Sequence, residues 1–575
     1  MNVNLFGFSI EGLDVELSLG LARLGFVVLA LAGAWFARLQ RNGHRVGSIV
    51  LCIGIAGHAL SWFATMFPLP NVYGANGSMD RENHLGWANM VALGFSPLRT
   101  FQVHHLHFEP LWPLLTAIAS GFQIEWVQVV FQCAPLVIGI LLLLSIRFAW
   151  MRGMSPSDHV SIEASFAALG ALFLMSTPGD FMGAFRNPWA LTFLLKPNHA
   201  LGLVLVPLAA LSLARAQSWK SRVWSGFVLQ LVGWAFVIHM ALFACSLVLF
   251  ALVSWATRRL DRKKDVIDVA SAIGINLLIV SPYLVMLVVA YPFLTGDDAH
   301  RLSPFSDRIL DAPFRLGVLA LLSAYGAVRA YRDSSRLGRV LACQWGGAQI
   351  AWQALPLLGL LGQAREQDEV FYWCRFWTGL FAGVGAFSFI RSCGEKLTGV
   401  IRSTPERSLG LSSAFTLLIL LPALLPTWWN PMTMDQYFVA ARKPVPDWIS
   451  DPMRFVREHT PKDAVFGGDR IFARWIAAYG GRRVLLADSL NAPNDSSRRL
   501  EIDDAVLTGR SSQLMSDGRK EFGLTYILAT SKEMPQAPGV TLDQLVSRAD
   551  LEAVYDRQFE ERRVVILRIR SEGNR

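Results

Sequence analysis

The stretch that decides the fold is NLLIVSPYLVMLVVAYPFL, residues 276–294, which contains no charged side chain. Two further apolar runs are VIGILLLLSI at 137–146 and FTLLILLPALLP at 415–426. A helix needs about 20 predominantly apolar residues to cross the hydrocarbon core of a bilayer. The 575-residue chain is 53% hydrophobic and only 17% charged, whereas soluble domains carry roughly a quarter charged residues. The sequence therefore predicts a polytopic α-helical membrane protein.

A hydropathy window of ~19 residues predicts about twelve membrane-spanning helices. They lie near residues 19–37, 47–66, 126–147, 159–177, 197–215, 223–239, 240–256, 266–291, 313–329, 340–361, 373–391 and 408–428. The interval 223–256 is also compatible with one long tilted helix followed by a broken one.

The formal charge of +9 comes from short basic clusters between these apolar runs. Short loops rich in Lys and Arg mark the cytoplasmic side of a membrane protein, so we interpret the charge as topology, and nucleic acid is not expected as a partner. With the basic loops in the cytoplasm, the segments predicted to lie on the outer side are 1–18, 67–125, 178–196, 292–312, 362–372 and 429–575.

The chain changes character after residue 428, where apolar runs shorten and charge becomes dense. DAVFGGD, RRVLLAD and LTYILAT have the composition of strands, and helical patterns such as SSRRLEIDDAVLT lie between them. We predict a transmembrane domain over 1–428, with a first outer loop at 67–125, and a small extracytoplasmic α/β domain over 429–575.

An acidic motif, GSMDRENHLGW at 77–87, opens the first outer loop. In a loop or extended stretch, the carboxylates of Asp80 and Glu82 can point into one pocket, where they can act as a general base or hold a divalent cation. The alternative is a solvated loop in which Arg81 balances its neighbours. The following ENHLGWANMVALGF predicts an amphipathic helix of the kind that lies in a membrane interface.

A histidine-rich stretch, FQVHHLHFEPLW at 101–112, follows in the same loop. Imidazoles near a carboxylate can bind metal, but this spacing matches no fixed ligand pattern. Contacts with the acceptor or with lipid headgroups are the preferred interpretation, and the residues concerned are His84, His104, His105, His107 and Glu109.

Cationic side chains near the outer ends of two predicted spans are candidates for binding phosphate. Lys196 and His199 are three residues apart at a predicted helix start, where helix N-termini favour anions, and Arg186 precedes them. Pro197 alone is also explained by a simple helix start. Arg375 lies inside an apolar run and can bind phosphate with two parallel hydrogen bonds, unless nearby acidic residues are its partners. His239 fits a hydrogen-bonded core residue as well as a site residue.

The sequence resembles a known family through two sets of residues. Asp80-Arg81-Glu82 after an early span is followed by a loop helix, many spans and an outward α/β domain. RFVREHTPKDAVFGGDRIFARWIAAYGGRRVLLAD, at 454–488, is similar to the domain that follows the spans in many bacterial members. Together they resemble the GT-C fold of integral-membrane glycosyltransferases, which include protein mannosyltransferases, oligosaccharyltransferases and aminoarabinose transferases.

The resemblance implies an inverting transfer of a sugar from a polyprenyl-phosphate donor to an acceptor hydroxyl, which belongs to a glycan, a lipid or a protein. It places the reaction on the periplasmic side of a bacterial inner membrane. Asp80 would be the catalytic base, and Glu82 would assist it or bind a divalent cation, Mg²⁺ or Mn²⁺. Donor phosphate would be bound by Arg186, Lys196, His199 and Arg375.

Two departures keep a second interpretation open. The family often shows adjacent acids or D-x-D, whereas this chain has D-x-E, and an extra span precedes the motif. The alternative is a non-catalytic polytopic protein, either a transporter or a scaffold in envelope polysaccharide assembly. A transporter would place ionisable residues at mid-depth in broken helices, whereas here most of them gather near the outer boundary.

Overall fold

The computed structural model describes residues 3–5, 8–10, isolated positions between 25 and 57, 79–104, 109–156, 160–173, 197–258, 261–290, 311–333, 335–357, 364–401, 445–487, 495–531, 540–560 and 562–570. The chain divides into two compact units. The helical unit contains Met1–Pro68, Ala134–Ser281 and Asp297–Gln436. The sheet unit contains Leu69–Cys133, Pro282–Gly296 and Tyr437–Arg575. The first outer loop is therefore grouped with the C-terminal region, a grouping that the sequence did not suggest.

Long helices make up the described part of the helical unit. They are α3 Ile124–Gly153 (from Ala134 onward), α4 Val160–Phe173, α5 Pro197–Ala214, α6 Trp219–Ala235, α7 Val237–Ala256, α8 Arg262–Ala290 (up to Ser281), α9 Asp311–Arg332, α10 Arg336–Leu357 and α11 Ala364–Ile401. Near the N-terminus, β1 Val3–Leu5 and β2 Phe8–Ile10 pair antiparallel.

Each of these helices coincides with a predicted span between residues 126 and 391. The predicted spans at 19–37, 47–66 and 408–428 lie almost wholly outside the described residues. The uncertain interval 223–256 consists of two helices, because Phe236 between α6 and α7 adopts an extended conformation (φ −158°, ψ 111°).

Length and composition identify membrane-spanning helices among the described residues. Pro197–Ala214, Val237–Ala256 and Arg262–Pro282 are long and apolar enough to cross a bilayer, and a fourth candidate joins Leu111–Ala119 to Ile124–Phe131 through a bend of 114°. The protein is an integral membrane protein on this evidence. The number of twelve spans stays a prediction.

Helix α11 packs closely against α4 and α9 through glycines. A Cβ atom added at Gly383 would overlap the backbone carbonyl oxygen of Phe166 on α4, and one at Gly385 would overlap that of Leu322 on α9. Small residues at such crossings let helix backbones approach within van der Waals distance, which drives helix association in lipid. These glycines therefore set the spacing of the three helices.

Buried ion pairs join three helices at the end of the helical unit that carries basic loops. Arg336 at the start of α10 binds Asp265 (Nε to Oδ1, 2.8 Å) and Asp268 (Nη2 to Oδ2, 2.7 Å), both on α8. Arg222 on α6 binds the other oxygen of Asp268 at 2.6 Å. Both carboxylates have no exposed surface, so loss of one partner would leave a buried charge uncompensated.

The sheet unit is built around a mixed five-stranded sheet in the order β4-β3-β5-β7-β6. The strands are β3 Val465–Gly468, β4 Arg483–Val484, β5 Leu524–Thr530, β6 Leu551–Gln558 and β7 Arg563–Ile569. β3 pairs parallel with β4 and β5, whereas β7 pairs antiparallel with β5 and β6. The strand segments predicted from sequence are confirmed.

Helices complete the sheet unit. From the first outer loop come α1 Met79–Ala92 and α2 Leu111–Ala119. From the C-terminal region come α12 Asp447–His459, α13 Arg470–Trp475 continuing into a π-helical turn Ile476–Gly480, α14 Ser496–Thr508, α15 Ser512–Phe522 and α16 Leu542–Val546. α15 and α16 had not been predicted from the sequence.

The first outer loop extends the sheet at its β4 edge. The Val103 amide donates to the Val484 carbonyl (3.1 Å), and the Val484 amide donates to the Phe101 carbonyl (3.0 Å), which gives a parallel bridge centred on Gln102. Buried Arg499 on α14 donates to the Val103 carbonyl at 2.5 Å. These bonds satisfy backbone groups that an exposed sheet edge would leave unpaired.

A buried carboxylate on α14 should make the stability of the sheet unit depend on pH. Asp503 is 1% exposed and accepts a hydrogen bond from the Gly468 amide at 2.7 Å. Burial raises its pKa to about 7, although the Gly468 hydrogen bond opposes the shift. Since the folded state holds this proton more tightly than the unfolded state, its contribution to stability is complete below about pH 4 and is lost as pH rises to about 7.

Asp503→Asn should make the unfolding temperature depend less on pH between 4 and 8, and it should raise the unfolding temperature at pH 8. The reason is that the amide keeps an acceptor for the Gly468 amide without a buried charge. The measurement is thermal unfolding of the full chain in detergent between pH 4 and 8. Glu560→Gln, on the exposed surface of the same unit, removes one charge as a control. An unchanged slope in Asp503→Asn would contradict the assignment.

Candidate active site

The acidic motif lies in a helix rather than in an extended loop. Asp80 is the second residue of α1, and Glu82 is the fourth. Successive residues of an α-helix are about 100° apart, so positions 80 and 82 are separated by about 200° around the axis. The expectation of a loop in which both carboxylates point into one pocket is therefore wrong. If the two carboxylates take part in one reaction, they do so from different sides of α1.

Helix α1 is more deeply buried than the expected interfacial helix. Glu82, Asn83 and His84 are 4%, 7% and 4% exposed, and burial continues through Ala92. Trp87 and Met90 contribute to one of the hydrophobic clusters of the sheet unit. The helix was predicted correctly, but its polar residues lie in a protein interior, where polar groups need hydrogen-bond partners.

Asn89 hydrogen-bonds α1 to the backbone of the C-terminal region. Its Nδ2 donates to the carbonyl oxygens of Ala477 (3.0 Å) and Ala478 (2.8 Å). Both carbonyls belong to the π-helical turn, and Asn89 is 2% exposed. The helix that carries the acidic motif is thus held by C-terminal backbone, although almost 390 residues separate the partners.

Asn89→Leu should lower the unfolding temperature, because it leaves two buried carbonyls without this donor, at about 1–3 kcal/mol for each unsatisfied group. If α1 positions catalytic side chains, turnover should fall as well. The check combines thermal unfolding with a turnover assay. Gln513→Leu, at an exposed position of α15, is the matched amide control. Unchanged stability in Asn89→Leu would show that these hydrogen bonds do not hold the helix.

The outer-loop histidines do not form one exposed group. His84 is buried on α1, with its ring centroid 4.8 Å from that of Trp87. His104 is exposed, and its Nε2 lies 3.2 Å from the Glu521 carbonyl oxygen on α15. Glu109 is 4% exposed. His105 and His107 lie outside the described residues.

The predicted phosphate-binding residues are only partly described. His199 lies in the first turn of α5, which starts at Pro197 as predicted. Arg375 lies on α11, and both side chains are 4% exposed. Arg186 and Lys196 fall outside the described residues, so their roles stay predictions.

An aromatic and histidine cluster in the helical unit connects three helices. The His199 ring stacks on Phe236 with centroids 3.7 Å apart, and lies edge-on to His239 on α7 at 6.0 Å. The His239 ring is 5.1 Å from that of Trp373 on α11. Because Trp373 is two residues before Arg375, the cluster fixes the part of α11 from which that cation projects.

The sequence had singled out His199 and Arg375 but had not connected either of them with His239. The sequence did contain an indication that His239 has a partner. An ionisable residue in an apolar run is energetically expensive at membrane depth and is usually retained for a partner or a function. His239 has no exposed surface. A single sequence does not show which other helix faces it.

The described residues do not form a ready-made metal site. Within these parts of the chain, no group of three or more His, Cys, Asp or Glu side chains is arranged to hold a metal ion. The helical geometry of positions 80 and 82 also means that a cation between them would require ligands from other elements. The side chain of Asp80 itself is not described.

Comparison with solved structures identifies the fold. Two structures of ArnT from Cupriavidus metallidurans match 91% of this chain and 98% of theirs. The apo form has 13% sequence identity and a TM-score of 0.53, and the form bound to undecaprenyl phosphate has 12% and 0.52. The oligosaccharyltransferase AglB from Archaeoglobus fulgidus, in complex with an inhibitory peptide and a dolichol-phosphate, has 14% identity and a TM-score of 0.47, over 89% of this chain and 69% of its own.

A scan against protein-family models finds no match, and a search among curated proteins finds none either. The ArnT structures nevertheless establish the fold class, because the likeness extends over nearly the full length of both chains. The protein has a GT-C fold, as the acidic motif and the C-terminal stretch had indicated.

Proposed function

We propose that this protein is a membrane glycosyltransferase that moves a sugar from a polyprenyl-phosphate donor to an acceptor hydroxyl. The observation that carries the proposal is the GT-C fold shared with ArnT, for which one solved structure holds undecaprenyl phosphate. A polyprenyl phosphate needs apolar surface for its chain and cations for its headgroup. The apolar helices and the cationic residues near their ends supply both.

The acceptor side of the reaction is assigned to α1. Asp80 is the proposed base that takes the proton of the acceptor hydroxyl, which then attacks the anomeric carbon and inverts it. General bases of this kind typically contribute 10²–10⁴-fold to rate. Glu82, on another side of the same helix, is proposed to assist from a buried position, and His84, His104, His105, His107 and Glu109 are proposed to contact the acceptor or lipid headgroups.

The donor side is assigned to the cations of the helical unit. The departing polyprenyl phosphate carries negative charge that positive groups stabilise in the transition state. Arg375 is the strongest of these candidates, because a guanidinium stays charged even when it is buried. His199 at the N-terminus of α5 adds the positive end of a helix dipole, and Lys196 and Arg186 are proposed to complete the set.

Topology and cofactor belong to the same proposal. The end of the helical unit that carries the basic loops is proposed to face the cytoplasm. The acidic motif and residues 429–575 then lie on the periplasmic side of a bacterial inner membrane. A divalent cation, Mg²⁺ or Mn²⁺, is proposed as an optional cofactor that would neutralise donor phosphate.

The test is incubation of the purified full chain, in lipid, with a panel of polyprenyl-phosphate sugars in the presence of a membrane extract as the source of acceptor. Each donor is assayed with Mg²⁺, with Mn²⁺ and with a chelator. The proposal predicts release of free polyprenyl phosphate from at least one donor. Absence of both donor binding and release across the panel would overturn it and favour a transporter or a scaffold in envelope polysaccharide assembly.

A further inference from the structure

A cavity of about 400 Å³ lies at the end of the helical unit that carries the basic loops. It is a half-open cavity lined by the residues that directly follow α3, the start of α4 and the last turns of α9. A volume of this size accommodates a small polar ligand. None of the residues assigned to sugar transfer lines it, so the proposed function leaves the cavity unexplained.

Two basic and two acidic side chains line the cavity. Arg329 and Arg332 come from α9, Asp333 directly follows that helix, and Glu163 comes from α4. Glu163 is only 9% exposed, and it interacts electrostatically with Arg329, Asp333 and Arg391, of which Arg391 does not line the cavity. Because the lining offers both basic and acidic side chains, a ligand with both a cationic and an anionic group fits it better than a simple anion.

The cavity is continuous with an apolar surface that faces outward from the helical unit. Tyr325 and Val328 line it and are 37% and 47% exposed. On α3, Phe148 and Met151 are 49% and 44% exposed, and they precede the lining residue Met154 by six and three residues. Exposed apolar side chains on helices of a membrane protein contact lipid chains. A molecule bound here would therefore have its polar part in the cavity and its apolar part along these helices.

We propose that this cavity binds the headgroup of a zwitterionic phospholipid of the phosphatidylethanolamine type. Arg329 and Arg332 bind the phosphate, since guanidinium groups form charge-assisted hydrogen bonds with phosphate oxygens. Glu163 and Asp333 accept hydrogen bonds from the ammonium group. The acyl chains lie along the exposed apolar side chains of α3 and α9. The basic end of the helices identifies the lipid as one of the cytoplasmic leaflet.

The experiment is native mass spectrometry of the full chain released from detergent, titrated with phosphatidylethanolamine, phosphatidylglycerol or inorganic phosphate. We expect the zwitterionic lipid to bind at least tenfold more tightly than phosphatidylglycerol. Arg332→Gln should weaken phosphatidylethanolamine binding by about tenfold or more, and because Arg332 is exposed, this variant should fold normally. Arg152→Gln, an exposed residue at the end of α3 outside the cavity, is the matched control.

Glu163→Gln tests the ammonium contact separately. It should weaken binding of phosphatidylethanolamine but not of phosphatidylglycerol, a change in selectivity that general structural damage would not produce. Equal binding of both lipids in the wild-type chain, or equal losses in Arg332→Gln and Arg152→Gln, would overturn the proposal. Displacement of the lipid by millimolar inorganic phosphate would also overturn it, since the site would then recognise phosphate alone.

Discussion

Asp80→Asn is expected to lower the rate of sugar transfer by about 10²–10⁴-fold, because asparagine is isosteric with aspartate but cannot accept the acceptor proton. The substitution lies in the first turn of α1, where asparagine is compatible with a helix start. Unfolding temperature should therefore change little. Donor binding should also persist, because the proposed phosphate-binding residues are on other helices.

Glu82→Gln provides the informative comparison with Asp80→Asn. Both variants remove one negative charge from α1, but the two positions are separated by about 200° around the helix. If Asp80 is the base, turnover in Glu82→Gln should exceed that in Asp80→Asn by at least tenfold. Single-turnover assays with saturating donor give the comparison directly. Equal activity in wild type and Asp80→Asn would contradict the assignment of the base, and a larger loss in Glu82→Gln would transfer that role to Glu82.

Gly383→Leu is expected to prevent recovery of a folded, monodisperse protein. The first added carbon would meet the Phe166 carbonyl oxygen on α4, and since this obstacle is backbone, it cannot be relieved by a change of rotamer. Overpacking of a close contact typically costs 1–3 kcal/mol for small insertions, and a leucine adds more than one carbon. Gly383→Ala, with a single added carbon, should fold with a lower unfolding temperature.

Gly274→Ala is the matched control, because this glycine on α8 has no neighbouring atom within 4 Å of an added Cβ. Alanine is favoured over glycine in a helix by about 1 kcal/mol, so this variant should be at least as stable as wild type. Size-exclusion profiles and thermal unfolding in detergent measure the difference. If Gly383→Ala and Gly274→Ala behaved alike, the close approach of α11 to α4 would not be needed for stability.

Local patterns in the sequence predicted the elements that depend on local physics. LTYILAT is rich in residues that favour strands, and it forms β5 over Leu524–Thr530. Pro197 fixes a backbone angle compatible with a helix start, and α5 begins there. The apolar runs between residues 126 and 391 became helices because a backbone in lipid must satisfy its own hydrogen bonds.

The features that the sequence did not reveal depend on contacts between distant residues. Gln102 pairs with Val484 at the sheet edge, and nothing in FQVHHLHFEPLW distinguishes a segment that joins a sheet from an irregular loop. The acidic motif around Asp80 was interpreted as a loop or an extended stretch that precedes a helix, yet α1 already begins at Met79. The polar side chains of Glu82, Asn83 and His84 lie in the interior. Contacts with distant elements make this possible, as the two hydrogen bonds of Asn89 farther along the helix illustrate.

For the candidate site, the sequence suggests residue types but not their arrangement. Cations at the ends of apolar helices indicated phosphate, whereas the contact between the rings of His199 and His239 is a property of helix packing. Likewise, the charges around Glu163 are spread over residues 163–333, and only the fold brings them to one cavity.

The most direct test of the central claim is the stoichiometry of transfer in the reconstituted full chain, with a polyprenyl-phosphate sugar labelled in both its sugar and its lipid. The account predicts that free polyprenyl phosphate and glycosylated acceptor appear in a one-to-one ratio in the wild type, and that both are strongly reduced in Asp80→Asn. Polyprenyl phosphate released without a glycosylated product, or no release from any donor, would contradict it.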